Sequence, residues 1–332
     1  MFYPMNKMDI VACTDRGFVM PTGVMMQSVC VNNLDVDITF HIVLDDDVTK
    51  EDQHDLENVV TSFKGKSVEF YPVSEYITKI AFPALNDPTL ANSPSITRTT
   101  YFRLWLAEFL PSTIDKVLYL DGDIIVRHSL LPLWITDLGN DAVAVVPDGF
   151  NGMMEIYQRL GYPSKLCYFN AGVMLVNLKY WREHMVVKDF LEYLETHAED
   201  ILYQDQDVLN VVFKDKKTIL PIKYNLVSSY LWKIPLFDVN KFEKELIEAF
   251  TDPVIVHFIA GKPWYVYQRC PHPFKNTWNK YQNQTKWKGV KIEHRPFKLR
   301  VINFMADLLR KWKLKAQLSV KDRGYIDINP ID

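Results

Sequence analysis

The stretch KVLYLDGDIIV, residues 116–126, is as apolar as a buried strand, yet it contains two aspartates separated by one residue. Side chains at positions i and i+2 of an extended chain point the same way, so Asp121 and Asp123 are expected side by side on one face of the strand. Two neighbouring carboxylates repel each other, and one would be driven toward its protonated form unless a cation lay between them. The pattern therefore predicts a bound divalent metal.

The same two aspartates have other interpretations. Asp-Gly is common in turns at strand ends, where the acids need no ligand. Phosphatases of the haloacid type also use two aspartates at this spacing after a strand, but they have Thr or Val soon after the pair and acidic residues late in the chain. Here Ile124 and Ile125 follow, and no late acidic cluster appears.

Strand and helix signals alternate along the first half of the chain. Strand patterns cover residues 8–14, 38–46, 67–73 and 116–126, and helical patterns cover residues 22–33, 50–63 and 99–110. A capping box of Thr49 and Asp52 opens the second helix, and a long helix is predicted from Tyr180 to His197. The alternation predicts an α/β fold with a Rossmann-like, mostly parallel sheet flanked by helices on both faces.

Acidic residues follow three of the predicted strands: Asp15, then residues 45–47, then Asp121 with Asp123. In an open parallel sheet the ligand lies beyond the carboxyl ends of the strands. The repeated coincidence predicts one ligand site at that edge of the sheet.

A late motif, VIVHFIAGKPW at residues 254–264, adds candidate ligands for a metal and a phosphate. His257 follows a buried strand and could bind a metal through its neutral imidazole. Gly261 allows close approach of a phosphate to the backbone, and Lys262 supplies a compact positive charge. The alternative is a core histidine followed by a surface turn.

Another motif, YQDQDVLN at residues 203–210, carries candidate sugar ligands at the start of a helix. Asp205 and Gln206 supply the acceptors and donors that sugar hydroxyls need, whereas Asp207 is expected only to cap the helix. Arg103 and Asn170 lie among apolar residues, where a buried Arg needs an anion and a buried Asn needs partners, so both are site candidates or structural residues.

The composition is that of a globular protein, with 332 residues, a net charge of −3 and 48% hydrophobic residues. No apolar run reaches the roughly 18 residues of a membrane span, and residues 1–15 lack a signal pattern, so a cytoplasmic location is expected. The four scattered cysteines are expected to be reduced and structural. They are Cys13, Cys30, Cys167 and Cys270.

The C-terminal region differs in charge from the rest. Residues 1–270 are expected to form one domain and residues 271–332 a helical, basic appendage, because residues 286–315 contain ten basic and two acidic residues. Apolar residues recur there at helical spacing, which is typical of a helix lying on an anionic membrane surface. The alternative is a helix docked on the acidic body, and nucleic acid is not expected as a partner.

In order along the chain, six blocks resemble the family 8 glycosyltransferases, most closely the bacterial enzymes that transfer galactose or glucose from a UDP-sugar to lipopolysaccharide with retention of configuration. The blocks are MDIVACTD, TTYFRL, KVLYLDGDIIV, YFNAGVMLVNL, YQDQDVLN and HFIAGKPW. The family's terminal motif is H-x-x-G-x-x-K-P-W, so the loop between His257 and Lys262 is one residue shorter here.

The resemblance implies a GT-A type fold and a role for each matching residue. The implied UDP-binding residues are Thr14, Asp15, Gly261 and Lys262. The implied ligands of Mn²⁺, with Mg²⁺ as a substitute, are Asp121, Asp123 and His257. The implied donor-sugar residues are Arg103, Asp121, Asp148, Asn170, Asp205 and Gln206. Asp205 and Gln206 are the implied catalytic residues, with Gln206 on the face where a nucleophile would stand.

The predicted function is therefore a retaining hexosyltransferase. Its donor would be UDP-galactose or UDP-glucose, and its acceptor a glycan or lipid-linked saccharide, such as a lipopolysaccharide precursor at the inner face of the cytoplasmic membrane. A metal-dependent phosphohydrolase or nucleotidyltransferase with the same aspartates is the alternative, and a catalytically silent sugar-nucleotide binder is a third possibility.

Overall fold

A computed structural model describes residues 7–76, 98–232, 235–259, 261–266, 270, 272–292 and 305. The strands of these residues are β1 (Lys7–Thr14), β2 (Asp37–Leu44), β3 (Lys66–Pro72), β4 (Lys116–Leu120), β5 (Ile124–Val126), β6 (Val143–Pro147), β7 (Phe169–Asn177), β8 (Lys217–Ile219), β9 (Leu226–Val227) and β10 (Ile255–His257). The helices are α1 (Val19–Asn32), α2 (Lys50–Val60), α3 (Leu106–Phe109), α4 (Leu131–Trp134), α5 (Met154–Leu160), α6 (Leu178–Glu183), α7 (Val186–Thr196), α8 (Gln204–Val212), α9 (Val239–Thr251) and α10 (Lys275–Gln282).

The main sheet has seven strands in the order β3-β2-β1-β4-β7-β6-β8. Strands β1 to β4 pair in parallel, β7 is antiparallel to both of its neighbours, and β8 is parallel to β6. Only β7 is reversed, so the predicted mostly parallel α/β sheet is confirmed. The reversal brings the start of β7, with Asn170, to the edge where β1, β4 and β6 end, which gathers the polar residues after these strands.

Alternate residues of the central strands face two different cores, which explains their continuous apolar sequence. In β1, Ile10 packs with α1 and α2 on one face, while Val11 packs with α6, α7 and α8 on the other. In β4, Leu118 and Tyr119 divide between the two cores in the same way. The sheet is therefore covered by helices on both faces, as predicted.

The predicted fourth strand, residues 116–126, is wrong in one respect: it is two strands in two sheets. β4 belongs to the main sheet, whereas β5 pairs with β10 in a three-stranded sheet of order β5-β10-β9. The residues between them, Asp121 to Asp123, form a turn, so the two aspartates are not side by side on an extended chain. Because Ile124 pairs with His257, the second sheet carries this histidine to the turn.

Two predicted helices also differ from the structure. The helix predicted from Tyr180 to His197 is two helices, α6 and α7, because Met185 adopts a left-handed conformation (φ 52°) between them. The helix predicted over residues 99–110 is a 3₁₀ segment, Arg98–Trp105, followed by the single turn of α3. The capping box of Thr49 and Asp52 is present at the start of α2.

The first part of the predicted C-terminal appendage contacts the body. In α10, Trp278 is buried in the core of the second sheet, and the hydroxyl of Tyr281 accepts a hydrogen bond from Asn32 in α1 (2.8 Å). Apart from Met305, residues 293–332 lie outside the described residues, and so does most of the basic helical pattern. The four cysteines are buried and free, as predicted. Among the described residues, no helix is long and apolar enough to span a bilayer.

Candidate active site

A cavity of about 310 Å³ opens at the edge of the main sheet where β1, β4 and β6 end. Nine predicted site residues line it: Asp15, Arg103, Asp121, Asp123, Asp148, Asn170, Asp205, Gln206 and His257. The other three, Thr14, Gly261 and Lys262, are not among the lining residues. Residues far apart in sequence are thus brought to one site.

Asp121, Asp123 and His257 form a cluster whose chemistry fits a divalent metal. They offer two carboxylate oxygens and one imidazole nitrogen that lie within 4.8 Å of one another. The Nε2 atom of His257 is 3.1 Å from an oxygen of Asp123 and 3.6 Å from an oxygen of Asp121. Carboxylate oxygens with an imidazole suit Mn²⁺ and related ions.

Hydrogen bonds behind His257 determine which of its nitrogens carries the proton. The backbone N–H of Gly172 donates to Asn170 Oδ1 (3.0 Å), so this atom must be an acceptor, and Asn225 Nδ2 donates to it as well (2.8 Å). Asn225 therefore presents its oxygen to His257 Nδ1, 3.0 Å away. Nδ1 therefore carries a proton, so in the neutral imidazole that a metal requires the lone pair lies on Nε2, the nitrogen that faces the two carboxylates.

Arg103 connects the metal cluster to the other end of the cavity. Its Nη2 is 3.0 Å from Asp121 and its Nε is 2.9 Å from Asp205, and its guanidinium stacks on the Tyr119 ring at 4.6 Å. Burial alone would lower the pKa of Arg103, but Asp121 and Asp205 outweigh it and hold this pKa well above its usual value. Arg103 is therefore a fixed positive charge.

Asp205 is fully buried, and its carboxyl titrates in an unusual range. Burial raises the pKa of Asp205 to about 7, Arg103 offsets only part of this increase, and the negative charge of Asp121 adds to it. The contact with Arg103 is an ion pair without hydrogen-bond alignment, since that Asp205 oxygen has no hydrogen-bond partner among the described residues. Asp205 can therefore exchange a proton near neutral pH.

Lys262 approaches the cluster from the loop after β10. Its ammonium group forms an ion pair with Asp123 and donates to the carbonyl of Phe258 (2.7 Å). Burial would raise the pKa of Asp123, but Lys262 and His257 outweigh burial and hold this pKa below its usual range. A lysine in this position already balances part of the negative charge that a metal would balance.

The two predicted UDP-binding residues after β1 are placed differently. Asp15 lines the cavity, and its carboxylate accepts a hydrogen bond from the backbone N–H of Phe18 (3.0 Å) at the start of a short 3₁₀ turn. Thr14 is completely buried, and its hydroxyl donates to the carbonyl of Asp15 (3.0 Å). The Thr14 side chain therefore stabilises this turn through its hydrogen bond to the backbone.

Gln206 lies at the far end of the cavity with all four of its hydrogen-bonding positions occupied. Its Oε1 accepts from the backbone N–H of Ala171 and from Asn170 Nδ2, both at 3.1 Å. Its Nε2 donates to the Tyr168 hydroxyl (3.0 Å) and to Asp148 (3.3 Å). Burial raises the pKa of Asp148, although Asn170 and Gln206 both donate to it. The amide is held in one orientation.

Asp207, expected to cap α8, has a different structural role. It is completely buried and accepts hydrogen bonds from the backbone N–H groups of Leu202 (2.8 Å) and Tyr203 (2.7 Å), which precede the helix. Arg159 and the Tyr168 hydroxyl also donate to it, both at 2.7 Å. It therefore fixes the loop that carries Asp205 and Gln206 into the cavity.

Several residues of the site were not predicted from the sequence. Tyr119 donates to Asp121 (2.7 Å), and its position two residues before Asp121 is a signal that could have revealed it. Position 172 requires a glycine, because a Cβ there would lie 2.2 Å from His257 and 2.7 Å from Asp121. Asn225 and Tyr168 carry no local signal, because their partners come from distant elements.

Comparisons with known proteins agree with this geometry. Residues 9–266 match the model of glycosyl transferase family 8. General stress protein A of Bacillus subtilis is 25% identical over 288 residues, which cover 85% of this chain and 96% of that protein. Lipopolysaccharide 1,3-galactosyltransferase of Salmonella typhimurium is 28% identical over 80% of this chain and 75% of that protein. The crystal structure of the galactosyltransferase LgtC with donor and acceptor sugar analogs is 28% identical, with a TM-score of 0.72 over 89% of this chain and 99% of that one.

Proposed function

The chain belongs to glycosyl transferase family 8 and has the α/β fold of LgtC, and on this basis we propose that it transfers a hexose from a UDP-sugar to a saccharide with retention of configuration. The cluster of Asp121, Asp123 and His257 within 4.8 Å is the observation that supports the proposal most strongly. Galactose or glucose is the proposed sugar, because relatives include lipopolysaccharide galactosyl- and glucosyltransferases.

The proposed metal is Mn²⁺, with Mg²⁺ as a substitute, held by Asp121, Asp123 and His257 against the diphosphate. When bound, such an ion stabilises the negative charge that develops on a leaving diphosphate. Lys262 is proposed to contribute to the same stabilisation, with Gly261 beside it, when its ammonium exchanges Asp123 for a phosphate oxygen. Asp15 would bind the uridine end.

The proposed donor-sugar residues extend from Asp121 to the far end of the cavity. Carboxylates and amides that converge on one volume can accept from and donate to several sugar hydroxyls. They are Arg103, Asp121, Asp148, Asn170, Asp205 and Gln206. Arg103 would hold Asp121 and Asp205 at a fixed separation, since it contacts both.

We propose that retention occurs by departure and attack on one face, without a covalent intermediate. A double displacement needs a carboxylate close beneath the anomeric carbon. Gln206 occupies that position in the family motif, and both lone pairs of its Oε1 accept hydrogen bonds, so it is a poor nucleophile. The leaving phosphate oxygen would then take the acceptor's proton.

The test is a panel of UDP-sugars incubated with Mn²⁺ and saccharide acceptors, with products followed by mass spectrometry. The proposal expects transfer from UDP-galactose or UDP-glucose that stops when the metal is chelated. Inorganic phosphate released at full rate without acceptor would favour a phosphohydrolase instead. UDP binding without turnover against every acceptor would favour a silent binder.

A second experiment tests the mechanism through Gln206→Ala. The variant should give slow transfer with retained configuration, because no bond to Gln206 forms on the reaction path. An inverted product, or a covalent adduct on any residue, would contradict the proposal.

We also propose that the basic C-terminal region binds an anionic membrane, which would bring a cytoplasmic enzyme to a lipid-linked acceptor. Support comes from the ten basic and two acidic residues of 286–315. Sedimentation with phosphatidylglycerol vesicles compares the full chain with a chain ending at Lys291, which keeps α10. Equal pelleting of both would remove the proposal.

A further inference from the structure

The orientation of the Gln206 amide is determined at both of its ends. On one side, the backbone N–H of Ala171 can only donate, so the atom 3.1 Å from it must be Oε1. On the other side, Nε2 lies 3.0 Å from the Tyr168 hydroxyl. A hydroxyl can donate or accept, so this second contact holds the amide only if something fixes the direction of the Tyr168 proton.

Asp207 fixes that direction. Its Oδ2 accepts from Leu202 N, Tyr203 N and Arg159 Nη1, and its Oδ1 lies 3.3 Å from Arg159 Nη2. Backbone N–H groups and a guanidinium can only donate, so the carboxyl group has no place for a proton of its own. The Tyr168 hydroxyl, 2.7 Å from Oδ1, must therefore donate to Asp207.

With its proton on Asp207, the oxygen of Tyr168 is left as an acceptor, and the NH₂ of Gln206 must face it. We propose that Tyr168 is a positioning residue of the active site. Its hydroxyl donates to the Asp207 carboxylate and accepts from Gln206, and this fixes the orientation of the Gln206 amide. Tyr168 itself is completely buried and does not line the cavity. This inference rests on the proposed transferase function, since the oriented amide is what a donor sugar would meet.

The test is a double-mutant cycle of Tyr168→Phe and Gln206→Ala, with steady-state kinetics for the UDP-sugar. Tyr168→Phe removes one hydroxyl and should lower kcat roughly tenfold, the scale of one hydrogen bond, with KM for the donor within about twofold. In the Gln206→Ala background the same change should have no further effect on kcat, because Tyr168 acts through Gln206.

Tyr281→Phe is the matched control. The Tyr281 hydroxyl is likewise hydrogen-bonded, to Asn32, but Tyr281 is half-buried and lies in α10 away from the cavity. It should leave kcat unchanged, and thermal unfolding of both variants measures the stability that each loses. Equal losses of kcat from Tyr168→Phe in both backgrounds would show a purely structural role and overturn the proposal.

A second measurement requires neither a Tyr168 variant nor an activity assay. In a ¹H–¹⁵N spectrum the Gln206 side-chain amide, identified by its loss in Gln206→Ala, should exchange its protons with solvent at least tenfold more slowly than the exposed Gln204 amide. Exchange as fast as that of Gln204 would overturn the positioning claim even in an active enzyme. An inactive wild type with a protected amide would instead refute the proposed function.

Discussion

The two ends of the cavity contain the same kind of groups but are stabilised in opposite ways. At the proposed metal end, Asp121 and Asp123 converge on Nε2 of His257, and their positive partners are Arg103 and Lys262. Behind the other end, the proposed sugar end, Asp207 does not line the cavity and is surrounded by donors. The first end is suited to accept a further cation, whereas the second is already complete.

This difference distinguishes buried carboxylates that stabilise the fold from buried carboxylates that bind a ligand. A carboxylate whose donors are all supplied by the protein contributes to the stability of the fold, and removing it leaves those donors unpaired. Carboxylates that converge on a histidine nitrogen can also bind a further cation, so removing one should lower activity more than stability. Variants at the two ends should therefore separate activity from stability.

The largest effect is expected for Asp123→Asn at the metal end. Losing one of two carboxylate ligands should lower transfer about 1,000-fold or more, since metal stabilisation of a leaving group contributes several kcal/mol. Thermal unfolding without metal should be affected less than by Asp207→Asn, because Lys262 keeps the carbonyl of Phe258 as a second partner, whereas Asp207 accepts from four groups. A strongly destabilised variant, or one with near wild-type transfer, would erase the contrast between the two ends.

Asp207→Asn should have the reverse pattern. It leaves Arg159, whose side chain is 21% exposed, without its carboxylate and should lower the free energy of unfolding by roughly 3 kcal/mol. Urea unfolding measures this loss, and Mn²⁺ affinity of the folded variant should remain unchanged. Stability equal to that of the wild type would show that the donors around Asp207 find other partners.

Asn225→Ala tests the orientation of His257 without removing a ligand. Loss of the oxygen that accepts from Nδ1 should weaken Mn²⁺ binding about 10- to 100-fold, the usual scale for residues behind metal ligands. Asn33→Ala is a control, since Asn33 is also buried but bonds to the backbone of Val29 and Leu130. Equal manganese affinity in both variants would show that the hydrogen bond from His257 Nδ1 to Asn225 does not orient the metal ligand.

The last expected effect concerns the pH dependence of stability. Burial raises the pKa of Asp205 to about 7, so between the ordinary carboxyl pKa of about 4 and this value the folded protein binds more protons than the unfolded chain. This group therefore makes the protein less stable as pH rises from about 4 to 7. Asp205→Asn should abolish that component, and unfolding measured from pH 5 to 8 in both proteins checks it. Parallel curves would refute it.

Regular parts of the molecule were predictable from sequence because their signals are local. The strand at residues 8–14, the alternation of strands and helices, and the Thr49 capping box depend on neighbours in sequence, and the structure has all of them. The gathering of nine predicted residues at one cavity followed from the rule for carboxyl ends of parallel strands together with the family motifs.

The errors arose where distant contacts overrode local patterns. Residues 116–126 are apolar enough for one strand, but pairing of β5 with β10 draws the second half into another sheet. The break at Met185 requires a left-handed residue that no glycine marks. Asn225 follows a short turn and meets His257 only because β9 and β10 pair, so no periodicity could reveal it.

Calorimetric titration of Mn²⁺ in the presence of UDP measures whether Asp121, Asp123 and His257 bind a divalent metal. The wild type should bind one equivalent, and the double variant Asp121→Asn, Asp123→Asn should bind at least 100-fold more weakly. A second acid pair, Asp45 and Asp46, which bonds Arg98 at the end of β2, provides the matched double variant and should bind normally. Undiminished Mn²⁺ affinity in the Asp121→Asn, Asp123→Asn variant would show that these aspartates do not bind the metal.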